Sequence, residues 1–158
     1  MPRSVYLETS VISYLVARPN QRDLIVAAHQ EITREWWETR RQEFALFASA
    51  VVIDEALRGD PAYAKARMGI IEQLRLADVT QAARELAARL LSEAALPPKA
   101  NADALHIAIA AVNGIDHLLT WNCTHLANAV ILPRVNDICR AAGFEPPYVS
   151  TPEELMVG

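Results

Sequence analysis

Short apolar runs alternate with longer stretches of helical periodicity along this chain, and that alternation restricts it to a parallel α/β sheet more strongly than any other feature. Residues 4–7, 44–49, 76–79 and 117–121 read as strands, and 146–150 as an added edge strand. Thr9 and Ser10 permit a turn into the apolar segment 11–16, and 23–42 carries Leu24, Ala27, Ala28, Ile32 and Trp36 near helical spacing. Ser49 is a candidate cap for a helix that carries Asp54 and Glu55 and stops at Gly59, and Asp60-Pro61 opens the next helix, to about Leu74. Thr80 starts an amphipathic helix broken at Pro97-Pro98, Asn101 is expected to cap the helix of Asp103, which ends at Gly114, and a last helix covers 134–142. Strand–helix–strand units of this length imply a three-layer α/β/α sandwich around a central, mainly parallel sheet of four to five strands.

Such a sheet gathers side chains that are far apart in sequence. Glu8 follows Val5-Tyr6-Leu7, Glu55 closes Val51-Val52-Ile53-Asp54, Asp103 opens Ala104-Leu105-His106-Ile107-Ala108, and Asn122 follows Leu118-Leu119-Thr120-Trp121. Open α/β sheets bind ligands in the crevice at the carboxyl ends of their strands. Two like charges about 4 Å apart repel by roughly 4 kcal/mol at an effective dielectric near 20. Three clustered carboxylates therefore point to a hard cation, Mg²⁺ or Mn²⁺, with Glu8, Glu55 and Asp103 as metal ligands. A cation held this way acidifies water and offsets charge on a phosphodiester oxygen, so the reaction class is phosphodiester hydrolysis.

Each position also has a plainer reading. Glu8 could be a surface acid after an edge strand, and Asp103 an early-turn acid that favours the helix dipole by about 0.3 to 1 kcal/mol. Asp54 and Glu55 point about 100° apart on a helix, so only one of them faces a given site. Thr9 and Thr120 are candidates to donate to the carboxylates, or are simply β-formers. Four residues, His106, His117, Cys123 and His125, invite a zinc reading, but Cys123-Thr124-His125 is one irregular half of a zinc site. His106 lies three residues after Asp103 and could face the same crevice, though a packed histidine satisfied by backbone is the expectation. Trp36, Trp37 and Tyr14 are either base-stacking aromatics or core.

The runs Val5–Leu15, Asp54-Glu55, Asp103–Ala108 and Thr120-Trp121-Asn122 resemble, as an ordered set, the motifs of PIN-domain proteins, and among them the VapC-type toxins of prokaryotic toxin–antitoxin pairs. The match extends from about Val5 to about Asn128. It implies a metal-dependent endoribonuclease that cleaves single-stranded RNA, with Glu8, Glu55, Asp103 and Asn122 in the catalytic positions and an antitoxin protein as partner. Glu rather than Asp fills the second of the paired positions in the family, which assigns Glu55 over Asp54. Two departures stand out. Glu8 replaces the commoner Asp, moving the carboxylate outward by about 1.5 Å, and Asn122 replaces the commoner fourth Asp, removing one negative charge and making a second metal ion less expected. These departures motivate an alternative, a PIN-like RNA-binding or assembly module with weak or no nuclease activity. A small-molecule enzyme of the doubly wound class ranks last, because no glycine-rich phosphate loop is present.

With 158 residues and 52% hydrophobic content, one domain over 1–158 is expected, its motifs within about 4–143 and a tail over 144–158. No apolar run is long enough to cross a bilayer, and the two cysteines form no framework, so a cytoplasmic protein is expected. The net charge of −4 argues against tight nonspecific duplex binding, yet thirteen of the fifteen basic residues are Arg, the side chain that grips phosphate bidentately. Apolar helix surfaces at 24–37 and 70–91 lead to the expectation of a homodimer.

Overall fold

The computed structural model describes residues 2–94 and 96–156. Its five strands are β1 (Arg3–Leu7), β2 (Phe44–Ser49), β3 (Arg75–Ala77), β4 (His117–Leu119) and β5 (Tyr148–Ser150). They form one sheet in the order β3-β2-β1-β4-β5, and every pairing is parallel. The helices are α1 (Thr9–Val16), α2 (Leu24–Arg40), α3 (Ala50–Ala56), α4 (Pro61–Ile71), α5 (Gln81–Glu93), α6 (Asn101–Val112) and α7 (Leu132–Ala141). α1 packs on α2 and α4, whereas α5 packs on α6 and α7. Right-handed crossovers put the first group on one face and the second on the other, because the strand order reverses direction between β3 and β4.

That reversal fixes where a site can be. β1 leads into α1 and β4 leads into the Thr120–Asn122 turn, side by side, since Leu7 pairs with Leu119. Buried on both faces, β1 is apolar through Val5, Tyr6 and Leu7, all fully inaccessible. Local signals act as the sequence implies at most junctions. Ser49 accepts from Val52 N–H to cap α3, Asp60 accepts from Ala62 N–H ahead of Pro61, Thr80 accepts from Ala83 N–H, and Gly143 takes φ 91° after α7.

Asn101 is a correction. It is the first residue of α6 rather than its cap, and no side chain caps this end. The 3₁₀ turn Pro98–Ala100 runs straight into the helix, so the Asn101 N–H is already bonded to the Pro98 carbonyl and needs no cap. Helix α4 also stops short of Leu74, because the chain tightens into i→i+3 bonds from Gln73 to Ile70 and from Leu74 to Ile71. Trp36 and Trp37 are core, at 0% and 8% exposure, which removes them as base-stacking residues. Among the described residues, no helix is long and apolar enough to cross a membrane.

At the opposite end of the sheet, His117 lies between Phe44 and Tyr148 with neither ring nitrogen bonded. Burial, reinforced by Arg3, holds its pKa below the usual histidine value of 6.5. The unfolded chain therefore binds the extra proton more readily, and stability falls as pH drops below about 6.5. His117→Phe is expected to raise stability by about 1 kcal/mol at neutral pH, by removing unpaired buried nitrogens, and by more at pH 5. Urea unfolding at both pH values checks this; an equal gain at each would contradict the titration.

Candidate active site

Glu8 stands at the N-cap of α1, directly after the central strand, and is 5% exposed. A carboxylate this buried needs donors, and the local chain supplies them. Ser10 donates through its N–H at 3.1 Å and its hydroxyl at 2.5 Å, and the Thr120 hydroxyl donates at 2.6 Å from the end of β4. Thr120 in turn accepts from Asn122 N–H at 2.9 Å, so the turn after β4 is fastened to Glu8.

Glu55 reaches the same place from the last turn of α3. Its Oε1 accepts from the Thr9 hydroxyl at 2.8 Å and lies 2.6 Å from His106 Nε2. Burial pushes the Glu55 pKa up, but the His106 hydrogen bond and charge, with help from Thr9 and Arg58, bring it below the usual carboxylate value. Thr9 and Thr120 thus each hold one acid, Glu55 and Glu8 respectively.

His106 corrects the sequence expectation of a histidine satisfied by backbone. It is fully buried, and its Nδ1 lies 2.7 Å from the Tyr6 hydroxyl, which is itself 2.7 Å from Ser49 Oγ. In a neutral ring whose Nε2–H donates to the Glu55 carboxylate, Nδ1 accepts from Tyr6 and Tyr6 accepts from Ser49, whereas a charged ring donates from both nitrogens and reverses the Tyr6–Ser49 bond. The row then runs without a break from the cap of α3 to Glu55. The signal available in the sequence was the Asp103–His106 spacing of three, which puts both on one side of α6.

Among the described residues, Glu8, Glu55 and His106 offer donor atoms all within 4.8 Å of one another. Asp103 stands in the first turn of α6 and pairs through Oδ2 with His125 Nδ1 at 3.2 Å. Its pKa is raised, first by burial and then by the negative charge of Glu8, against the opposing pull of His106 and His125. Asp103 is not one of that close group of three, and its link to Glu8 is through charge alone. Asn122 is placed differently. Its Oδ1 accepts from Thr124 N–H at 3.1 Å and His125 N–H at 3.0 Å, closing the turn that carries His125 toward Asp103. Asn122 is thus linked to Asp103 by way of the His125 turn. Its neighbour Cys123 is exposed, and Cys139, the other thiol, is buried and far off in α7.

No family model and no curated protein matches the chain. Solved structures do. The sarcin-ricin-loop-cleaving toxin VapC20 of Mycobacterium tuberculosis superposes with a TM-score of 0.59 at 21% identity, over 91% of this chain and 100% of that one. VapBC2 from Rickettsia felis, in a complex with a DNA fragment from their promoter, superposes with a TM-score of 0.53 at 14% identity, over 93% of this chain and 97% of that one. At these identities the likeness establishes a shared PIN-like α/β fold.

Proposed function

We propose that this chain is a Mg²⁺- or Mn²⁺-dependent endoribonuclease that hydrolyses single-stranded RNA and serves as the toxin of a toxin–antitoxin pair. The observation that carries the reading is the meeting of Glu8 and Glu55 beside His106, with donor atoms within 4.8 Å of one another, at the carboxyl end of a parallel sheet; Asp103, whose pKa the charge of Glu8 helps to raise, is the third acid we assign to the site. Support comes also from the fold shared with VapC20, a sarcin-ricin-loop-cleaving toxin.

The donor set fits a hard cation. Glu8 and Glu55 are oxygen donors held in place by hydroxyls, and Asp103, its pKa raised first by burial and then by the charge of Glu8, offers a further carboxylate. His106 Nε2 is committed to Glu55, which makes it an orienting group for that ligand rather than a ligand itself. When bound, the cation offsets the repulsion among the acids and the charge that develops on the phosphodiester oxygens. The chain's own residues do the positioning: Ser10 and Thr120 fix Glu8, Thr9 and His106 fix Glu55, and the Asn122 turn sets His125 against Asp103.

Purified protein is expected to cut labelled single-stranded RNA internally with Mn²⁺ and to stop in EDTA. The second reading, an RNA-binding module with little activity, is favoured by the Asn122 side chain, which is spent on a turn. Calorimetry with Mn²⁺ separates the two, since no binding at millimolar metal leaves only the module. Asn122→Asp keeps an acceptor for the Thr124 and His125 amides and adds an anion, so Mn²⁺ binding should tighten by about tenfold. Unchanged affinity in the same calorimetry would mean that position 122 is too remote to matter.

Leu24 and Ile25, 88% and 69% exposed at the start of α2, offer apolar surface to an antitoxin or to a second copy of the chain. Light scattering at tens of micromolar tests the homodimer, and the cytoplasm is the compartment this role requires.

A further inference from the structure

Three arginines surround the end of α3, and only one of them is tied into the fold. Arg67 donates to the carbonyls of Ala56 and Arg58. Arg58 and Arg84 have no carboxylate within 4.0 Å among the described residues, and both are exposed. Both residues line a cavity of about 250 Å³ that runs along α3, from Ala50 to Glu55 and on to Arg58, against the first turns of α5 and α6. Asn101 contributes an amide to its wall, Leu105 an apolar surface and Asp54 an exposed carboxylate. Glu55 lines it as well, so the cavity and the acidic crevice share a wall.

We propose that this cavity is a phosphate subsite that holds the RNA backbone one step along the strand from the bond being cut; this rests on the ribonuclease reading above. An RNA strand must bring one charge per nucleotide up to a cluster of carboxylates on a protein with net charge −4. A cation among the acids offsets charge at the reacting phosphate only. Uncommitted guanidinium groups on the neighbouring wall offset the next one, and their planar forks match phosphate oxygens bidentately. Arg58 and Glu55 line the same cavity, which places the Arg58 charge beside the crevice. An acidic protein segment would also satisfy two arginines, but the wall shared with Glu55 favours an occupant that is continuous with the reacting strand.

The test is fluorescence anisotropy of a short fluorescein-labelled oligouridylate on the full chain with Ca²⁺, at stepped KCl concentrations, alongside Mn²⁺-dependent cleavage of the same RNA. Arg58→Gln and Arg84→Gln are each expected to weaken binding about tenfold, and each should flatten the log–log salt slope by about 0.7. Arg89→Gln, at a residue of α5 that pairs with Glu93 and does not line the cavity, serves as the control and should alter neither. Melting curves check that the variants fold. If both variants bind like the control, the subsite is overturned whatever the cleavage assay gives. If they lose binding as expected while the wild type cuts nothing, the subsite stands and the nuclease reading falls. Wild type that binds no RNA overturns both, and variants that lose oligoglutamate binding but keep RNA binding overturn the subsite in favour of a protein partner.

Discussion

Asp103→Asn is expected to abolish RNA cleavage, by about 10²-fold or more, while the folded protein becomes no less stable. The substitution removes one negative charge at almost constant shape, and the amide oxygen can still face His125. Losing one ligand charge forfeits several kcal/mol of cation binding and transition-state stabilisation, and each 1.36 kcal/mol is a decade in rate. The stability side follows from the raised pKa of Asp103, whose first cause is burial and second the charge of Glu8. A raised folded pKa means that the folded state holds the proton more tightly, so this group's contribution is favourable at acid pH and is lost as pH rises through its folded value. At neutral pH the ionised Asp103 therefore opposes folding, and the amide relieves it. Wild type should gain about 2.7 kcal/mol from Mn²⁺ at a hundred times its Kd, visible as a rise in Tm, and the variant should gain much less at the same concentration. Full RNA cleavage by Asp103→Asn, with chelator controls, would end the metal-nuclease reading.

The parallel sheet and its helices were legible because they are written locally. Phe44–Ser49 reads as a strand from β-forming residues and as a helix start from Ser49, and the structure has both. Glu8 was legible as an acid set between a buried strand and an apolar segment, but its part as the N-cap of α1 was not, because the sequence reading offered only a metal ligand or a surface acid there. What was not legible depended on contacts between distant residues. Tyr6 looks like any residue of an apolar strand, and nothing near it announces that its hydroxyl meets His106 a hundred positions on. Asn122 was read through its place in the motif order, yet local chemistry decided its orientation. An Asn followed by free amides two and three residues on closes a turn before it serves anything farther away. The end of β4 lay between these cases. Thr120 falls outside the strand, although its N–H still bonds to Ser150.

The buried row from Ser49 through Tyr6 and His106 to Glu55 predicts the second large effect. His106→Leu fills most of the same space but leaves both the Tyr6 hydroxyl and the Glu55 carboxylate without their His106 partner. Stranding buried polar groups should lower stability by about 2 to 4 kcal/mol, read as a lower urea midpoint. Tyr6→Phe with His106→Leu removes both ends of that contact, so the double variant should lose less than the sum of the singles, with a coupling of about 0.5 to 3 kcal/mol. Activity should move independently of stability. Glu55 is now held below the usual carboxylate value against the upward push of its own burial, and His106 is the largest of the groups that hold it there. Without His106, burial prevails and the Glu55 pKa rises. A depressed carboxylate contributes stability above its unfolded value near 4.5 and loses it as pH falls through the folded value, so His106→Leu should weaken that acid-side dependence. The acid limb of the cleavage profile should shift to higher pH in step, because Glu55 must be ionised to hold a cation. A variant that is less stable but keeps the wild-type pH profile would reduce His106 to a packing residue with no part in setting the charge of Glu55.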